Sequence, residues 1–162
     1  MSSQTLEVFH RWHAAHQAAD SDTLQRILLP DVTVRSLFQP GPVRGRDDAV
    51  AHFRRTLARF PDLSMPLLSP AAANDHDVVF AEVRFTGHFH GDLTWLGKAH
   101  HGAGQEFDVD GVAVLHIQDG GVQAVRTLFD RDSWLSQIGI GPAPAPPFAH
   151  LPDGPDGQGR PR

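Results

Sequence analysis

The residues that invite chemistry gather between Val78 and Ile138: Glu82, Arg84, His88, His90, Asp108, Asp110, His116 and Arg126. Side chains two apart on a strand share a face. Glu82, Arg84, Thr86 and His88 therefore project together if Gly87 introduces no bulge. A carboxyl group in an apolar hollow has its pKa raised toward neutrality, which suits proton transfer. Glu82 is thus the candidate general acid or base, and Arg84 the group to steady an enolate or carboxylate oxygen. Pairing between them would pull the same pKa down, and a surface ion pair is the plain structural alternative. Asp108 and Asp110 form a second same-face pair, in which neighbouring carboxyls hold one proton between them. A solvated strand edge is the alternative there.

His88 and His90 on a strand, and His13 and His16 on a helix, have the spacing of metal ligands. Zinc needs three or more convergent ligands, and nothing in the sequence joins these pairs, so no metal site is assigned. A single imidazole, His88 or His16, reads better as a neutral hydrogen-bond donor or proton shuttle. Trp12, Phe38, Phe53, Phe85 and Trp95 offer flat apolar walls for a polycyclic or polyene substrate, with His16 and Thr127 beside them. Most of these aromatics would serve equally as core. Trp95 stands apart because its loop can reach over a pocket mouth. Asp130 and Asp132 suit helix capping better than catalysis.

The elements that must position these residues follow from periodicity. Residues 4–19 read as a helix with Leu6, Phe9, Trp12, His13 and His16 on one face, and 22–29 as a short helix begun by Asp20-Ser21-Asp22 and ended by Pro30-Asp31. Val32 to Phe38 alternates like a strand. A third helix over 47–60 carries Val50, Phe53, Leu57 and Phe60. A strand over 63–68, a long strand over 78–90, and a hairpin of 105–118 with 122–129 about Asp119-Gly120 follow, then a short helix near Trp134. Residues 91–104, with four glycines, read as a loop or a short broken strand. From Gly141 to Arg162, eleven of twenty-two residues are Pro or Gly, the composition of a loosely draped or disordered tail. Helices gathered early and strands late give an α+β fold. Its core is a cone-shaped, curved, mixed but mostly antiparallel sheet, with the N-terminal helices on its concave face. The domain spans 1–140.

A chain of 162 residues fits one such domain. Net charge is −5 and Lys98 is the sole lysine, so there is no basic surface for nucleic acid. With no cysteine, thiolate catalysis and cysteine-ligated metals are excluded. Neither a secretory leader nor an apolar run long enough to span a membrane is visible, which makes the cytoplasm the expected compartment. No GxGxxG or GxxxxGK[ST] signature marks a nucleotide site, and no cofactor is implied.

The run GVAVLHIQDGGVQAVRTLFDRDSWLSQIG, Gly111 to Gly139, resembles the end of a SnoaL-like polyketide cyclase. The N-terminal helix pair, Pro30-Asp31, Gly45 and Thr86-Gly87-His88 fit too, so the resemblance covers roughly residues 4–139. It implies the cone fold shared with nuclear transport factor 2, ketosteroid isomerase, scytalone dehydratase and limonene epoxide hydrolase, whose members cyclise, isomerise, dehydrate, open epoxides or merely bind. In the aldol-type cyclases the acid–base pair is a histidine on the penultimate strand and an aspartate on the last. Those positions fall here on Ala113 and Thr127. The epoxide hydrolases' Arg-Asp-Tyr-Phe-Asp corresponds to Arg126-Thr127-Leu128-Phe129-Asp130, which again puts Thr127 in place of the aspartate. Their Arg-x-Asp pair aligns with Glu82-Val83-Arg84, the charges exchanged.

The resulting expectation is a cofactor-independent cyclase-like enzyme of secondary metabolism. It would close, dehydrate or isomerise an apolar polyketide-like intermediate through Glu82 or a histidine, and pair into homodimers through the outer sheet face. An epoxide-opening enzyme with two acidic groups at one oxygen, or a non-enzymatic small-molecule binder, are the alternatives.

Overall fold

The computed structural model describes residues 2–141; the tail expected from Gly141 onward lies, beyond that residue, outside the described residues. Helix α1 (Ser2–Gln17) buries Thr5, Val8, Phe9, Trp12 and Ala15, the three- and four-residue spacing of one helical stripe. Helix α2 (Ser21–Ile27) follows at once. The Asp20 carboxylate caps it, accepting from the Thr23 amide at 3.0 Å and the Thr23 hydroxyl at 2.6 Å.

Strand β1 (Leu28–Ser36) starts earlier than its alternation suggests and runs through Pro30-Asp31. Its pairing with β8 (Gly121–Phe129) is parallel and shifts register between Leu28 and Thr33. That irregularity is where a proline, with no amide hydrogen, fits a sheet. Strand β2 (Val43–Arg44) covers the other edge of β1. Helix α3 (Arg46–Arg59) buries Ala49, Val50, His52, Phe53 and Thr56.

Between α3 and the main sheet, residues 63–68 make only isolated bridges, Ser64 to Thr86 and Leu67 to Val83, rather than the expected strand. Strand β3 (Ala72–Ala73) pairs with β4 (Val78–Phe89), and β4 pairs with β7 (Gln105–Gln118) without a break from Val78↔His116 to Phe89↔Gln105. Gly87 does not bulge the strand. A Cβ there would stand 3.0 Å from the Phe107 ring, so the glycine is what lets that ring lie across β4. The glycine-bearing stretch expected to be irregular instead forms a hairpin, β5 (Asp92–Trp95) with β6 (Lys98–His101). Its turn, Leu96-Gly97, has both φ angles positive, +47° and +80°, which suits a two-residue hairpin. Asp119-Gly120, at +50° and +74°, turns β7 into β8 the same way. Helix α4 (Arg131–Gln137) is capped by Asp130, which accepts from the Ser133 amide at 2.9 Å.

The main sheet has the order β2-β1-β8-β7-β4-β3, antiparallel except for β1 with β8. The N-terminal helices pack on it, and the core fills the space between. At its centre Phe38 lies within 6.2 Å of the rings of Phe60, Phe85, Phe107, Phe129 and Trp134.

Candidate functional site

The two faces of β4 are chemically opposite. Val79, Ala81, Val83, Phe85, Gly87 and Phe89 are buried, while Glu82 and Arg84 are exposed and Thr86 and His88 half-exposed. The expectation that Glu82, Arg84 and His88 share a face holds, but that face is the outer one. The reason is the pattern itself: an unbroken register lets only one parity meet the core, and the odd-numbered set is the apolar one.

Each outer-face group is engaged where it stands. Glu82 accepts from the Ser69 hydroxyl at 3.2 Å. Arg84 Nε donates to Asp110 at 2.9 Å and lies 3.5 Å from Asp108. The Asp110 hydrogen bond, then the charges of Asp110 and Asp108, hold the Arg84 pKa above its ordinary value. His88 meets Asp62 through Nδ1 at 2.6 Å. Partial burial pulls the Asp62 carboxyl upward, but the hydrogen bonds from the His88 ring and amide outweigh it and leave the pKa lowered. Asp108 and Asp110, on the same side as Arg84, also face out. Among the described residues no cluster of three or more His, Cys, Asp and Glu is placed to hold a metal.

The cavity lies on the other side of the sheet. It measures about 70 Å³ and is walled by apolar side chains, among them Trp12, Phe38, Phe53, Phe85 and Met65, with His16, Gln17, Ser36, His52, Thr56 and Thr127 as its polar contributors. Four of the aromatic walls expected from the sequence, Trp12, Phe38, Phe53 and Phe85, are therefore here, as are His16 and Thr127. Trp95 is not. It is buried under α4, with its ring 6.0 Å from Trp134 and the Arg131 guanidinium 5.4 Å above it; the hairpin that carries it packs down instead of reaching over the cavity.

Helix α1 places His16 between two rings, 4.5 Å from Trp12 and 4.6 Å from Phe53 between centroids. Desolvation between these rings dominates, aided by nearby His13 and His52, and pushes its pKa from 6.5 to about 3. Helix α3 places His52, only 7% exposed, on the same cavity. Burial, then the charges of Arg55 and Arg59, pushes its pKa to about 4. Neither imidazole has a hydrogen-bond partner among the described residues, in contrast to His13, which meets the Met65 carbonyl at 2.7 Å. The Thr127 hydroxyl is buried and also unpartnered. His52 escapes the stripe Val50–Phe53–Leu57–Phe60. The signal for it is the series Ala49, His52, Thr56, Phe60, whose steps of three and four define a buried stripe equally well.

Thr127 pairs across the sheet with Ala113 on one side and Ser36 on the other, all three buried. The two positions that carry the acid–base pair in the cyclases are thus direct neighbours on the inner face, holding a methyl and a hydroxyl. No Asp or Glu lines the cavity among the described residues. The site can present neutral imidazoles and a hydroxyl to a polar atom of an otherwise apolar guest.

Solved structures show the same architecture. A protein of Jannaschia sp. CCS1, named as a candidate SnoaL-like polyketide cyclase, superposes with a TM-score of 0.73 at 23% identity, covering 87% of this chain and 95% of that one. TsrD from Streptomyces laurentii gives 0.68 at 23%, over 85% and 96%. An LEH-like epoxide hydrolase of M. tuberculosis gives 0.66 at 15%, over 85% and 86%. At these identities the likeness is one of fold. No curated protein matches the chain. The family model for the SnoaL-like domain matches residues 9–125, most of the described fold, and the chain belongs to the SnoaL-like domain family.

Proposed function

We propose that the chain is a cofactor-independent enzyme that holds a small, largely apolar biosynthetic intermediate in the cavity and promotes its cyclisation, dehydration or isomerisation by proton transfer. One observation carries this reading: an apolar hollow whose unpartnered polar groups are two neutral imidazoles and a hydroxyl, His16, His52 and Thr127. One imidazole nitrogen takes a proton from carbon beside a carbonyl, the C–H electrons move into an enolate, and the other imidazole with Thr127 donates to the oxygen.

Imidazoles with pKa values near 3 and 4 are weak bases on their own. A developing oxyanion reverses the balance, since a nearby negative charge favours imidazolium. The interaction is strongest where charge has formed, which is the condition for lowering a barrier. The family name and the cyclase-named structures agree with this class of reaction. The epoxide-opening reading, which needs two acidic groups at one oxygen, is less well supported by a lining without carboxylates. The cavity has room for only a few water molecules, so a compact guest fits as it stands, and a polycyclic one requires wall side chains to swing aside. A second copy of the chain would cover the outer sheet face around Phe80 on β4, which is 46% exposed.

Exchange of the α-hydrogens of cyclohexanone for deuterium, followed by NMR, tests the chemistry without knowledge of the natural substrate. The expected result is accelerated exchange that falls about 100-fold, or ~2.7 kcal/mol, in His16→Asn and in His52→Asn, and stays within about twofold in Glu82→Gln. Saturable ketone binding with no exchange would favour the plain binder. Loss of exchange in Glu82→Gln alone would return the chemistry to the outer face.

A further inference from the structure

A second hollow, about 160 Å³, opens at the C-terminal ends of β1 and β8, where the loop Gln39–Pro42 folds over the sheet. Arg35, Arg126 and Arg131 converge on it. Arg35 and Arg126 are register partners on parallel strands, so both project from the outer face. Like charges set directly opposite are destabilising, and a chain of net charge −5 has carboxylates to spare. Yet none lines this hollow among the described residues, and none of the three guanidiniums has a hydrogen bond or ion pair there. Arg84 on the same face, by contrast, has two aspartates within 3.5 Å. Arg131 is held by its stacking over Trp95 at 5.4 Å. The loop is braced by Gln39 Nε2 donating to the Gly41 carbonyl at 2.7 Å and stiffened by Pro40 and Pro42. A preformed concave wall bearing three unpaired guanidinium groups is an arrangement for a planar or tetrahedral oxyanion.

We propose that this hollow is a binding site for a small molecule carrying a carboxylate or phosphate. It is separate from the cavity: Ser36 and Thr127 contribute to the walls of both, and inward- and outward-facing residues alternate along these strands, so the sheet is the partition. The proposal therefore stands whether or not the cavity is catalytic.

The test is titration of the full chain with inorganic phosphate and, separately, with acetate at low ionic strength, following the arginine Nε–H resonances and the sedimentation coefficient. The expected result is saturable movement of the Arg35, Arg126 and Arg131 signals by at least one of the two anions, without change in sedimentation. Affinity should weaken about tenfold in Arg126→Gln and in Arg35→Gln, stay within about twofold in Arg11→Gln, and fall with added salt. Both test positions are exposed, and circular dichroism confirms that the variants fold. No saturable movement, or equal affinity in Arg126→Gln and Arg11→Gln, overturns the proposal. Signals that move with protein concentration and not with either anion also overturn it, because the carboxylates would then come from a second copy of the chain.

Discussion

The inner and outer faces of β4 and β7 are built from adjacent residues of the same strands, and they use polarity in opposite ways. Outside, Arg84 sits between Asp108 and Asp110 in solvent. Such a group is fully charged and screened, and worth little to stability or catalysis. Inside, the polar groups are few and neutral, and His16, His52 and the Thr127 hydroxyl have no hydrogen-bond partner among the described residues. Charge density marks the outer face, and imidazoles held neutral by burial mark the inner one. The lesson is that burial, more than the number of ionisable groups, decides where a proton can be moved.

The sharpest way to break the comparison is to truncate one large ring on each face. Phe38 is 5% exposed and touches five other rings, so Phe38→Ala should cost about 3–5 kcal/mol in urea unfolding. Phe80→Ala on the outer face should cost no more than ~0.5 kcal/mol in the monomer. If a second copy covers that face, the same substitution will weaken association in sedimentation experiments while leaving monomer stability intact. Equal losses for the two variants would show that the faces are not distinct.

The β7–β8 hairpin, the start of α2 and the long strand β4 were legible because they rest on local signals: the Asp119-Gly120 turn, the Asp20 cap and alternation along the strand; the parallel pairing of β1 with β8 and the β5–β6 hairpin were not. The facing of β4 was legible too, since Val79, Ala81, Val83, Phe85 and Phe89 demand the core. Reading chemistry from Glu82, Arg84 and His88 gave the charged set precedence over the apolar one, and the hydrophobic pattern is the stronger constraint. Trp12, Phe38, Phe53, His16 and Thr127 were recognised as pocket residues because helix stripes and strand parity point them inward. His52 was missed and Trp95 was misplaced, for different reasons. His52 occupies the flank of a stripe that is wider than its four largest residues. The position of Trp95 depends on docking of the β5–β6 hairpin against α4, a contact between distant segments that no local pattern records.

Acid sharpens the comparison further. His16 and His52 have folded pKa values lowered to about 3 and about 4, against 6.5 when unfolded. Above pH 6.5 neither state binds the extra proton and stability is at its full value. As pH falls from 6.5 toward 4 and then 3, the unfolded chain takes up protons that the folded chain refuses, and stability declines. At pH 5 the loss is about 2 kcal/mol for each histidine. Unfolding free energies at pH 7.5 and pH 5 should therefore converge by about that amount in His16→Leu and again in His52→Leu. His88→Gln on the outer face should leave this neutral-imidazole contribution in place. A wild-type protein equally stable at both pH values would mean that the two imidazoles are solvated.

The smallest expected effect is the most diagnostic. The Thr127 hydroxyl is buried without a partner, a state that costs free energy which valine, of nearly equal shape and the same β-branching, would not incur. Thr127→Val should then be neutral or stabilising by up to ~1 kcal/mol, while slowing ketone exchange about tenfold, or ~1.4 kcal/mol, through loss of a donor to the developing oxyanion. Removal of the Ser69 hydroxyl, which only meets exposed Glu82 on the outer face, should change neither quantity measurably. A stability gain coupled to an activity loss is what a group held in readiness for a ligand produces, because folding bears the cost and binding recovers it. A stability loss in Thr127→Val would instead mean that the hydroxyl already has a partner in the resting protein, and the cavity would keep only its two imidazoles as groups waiting for a substrate.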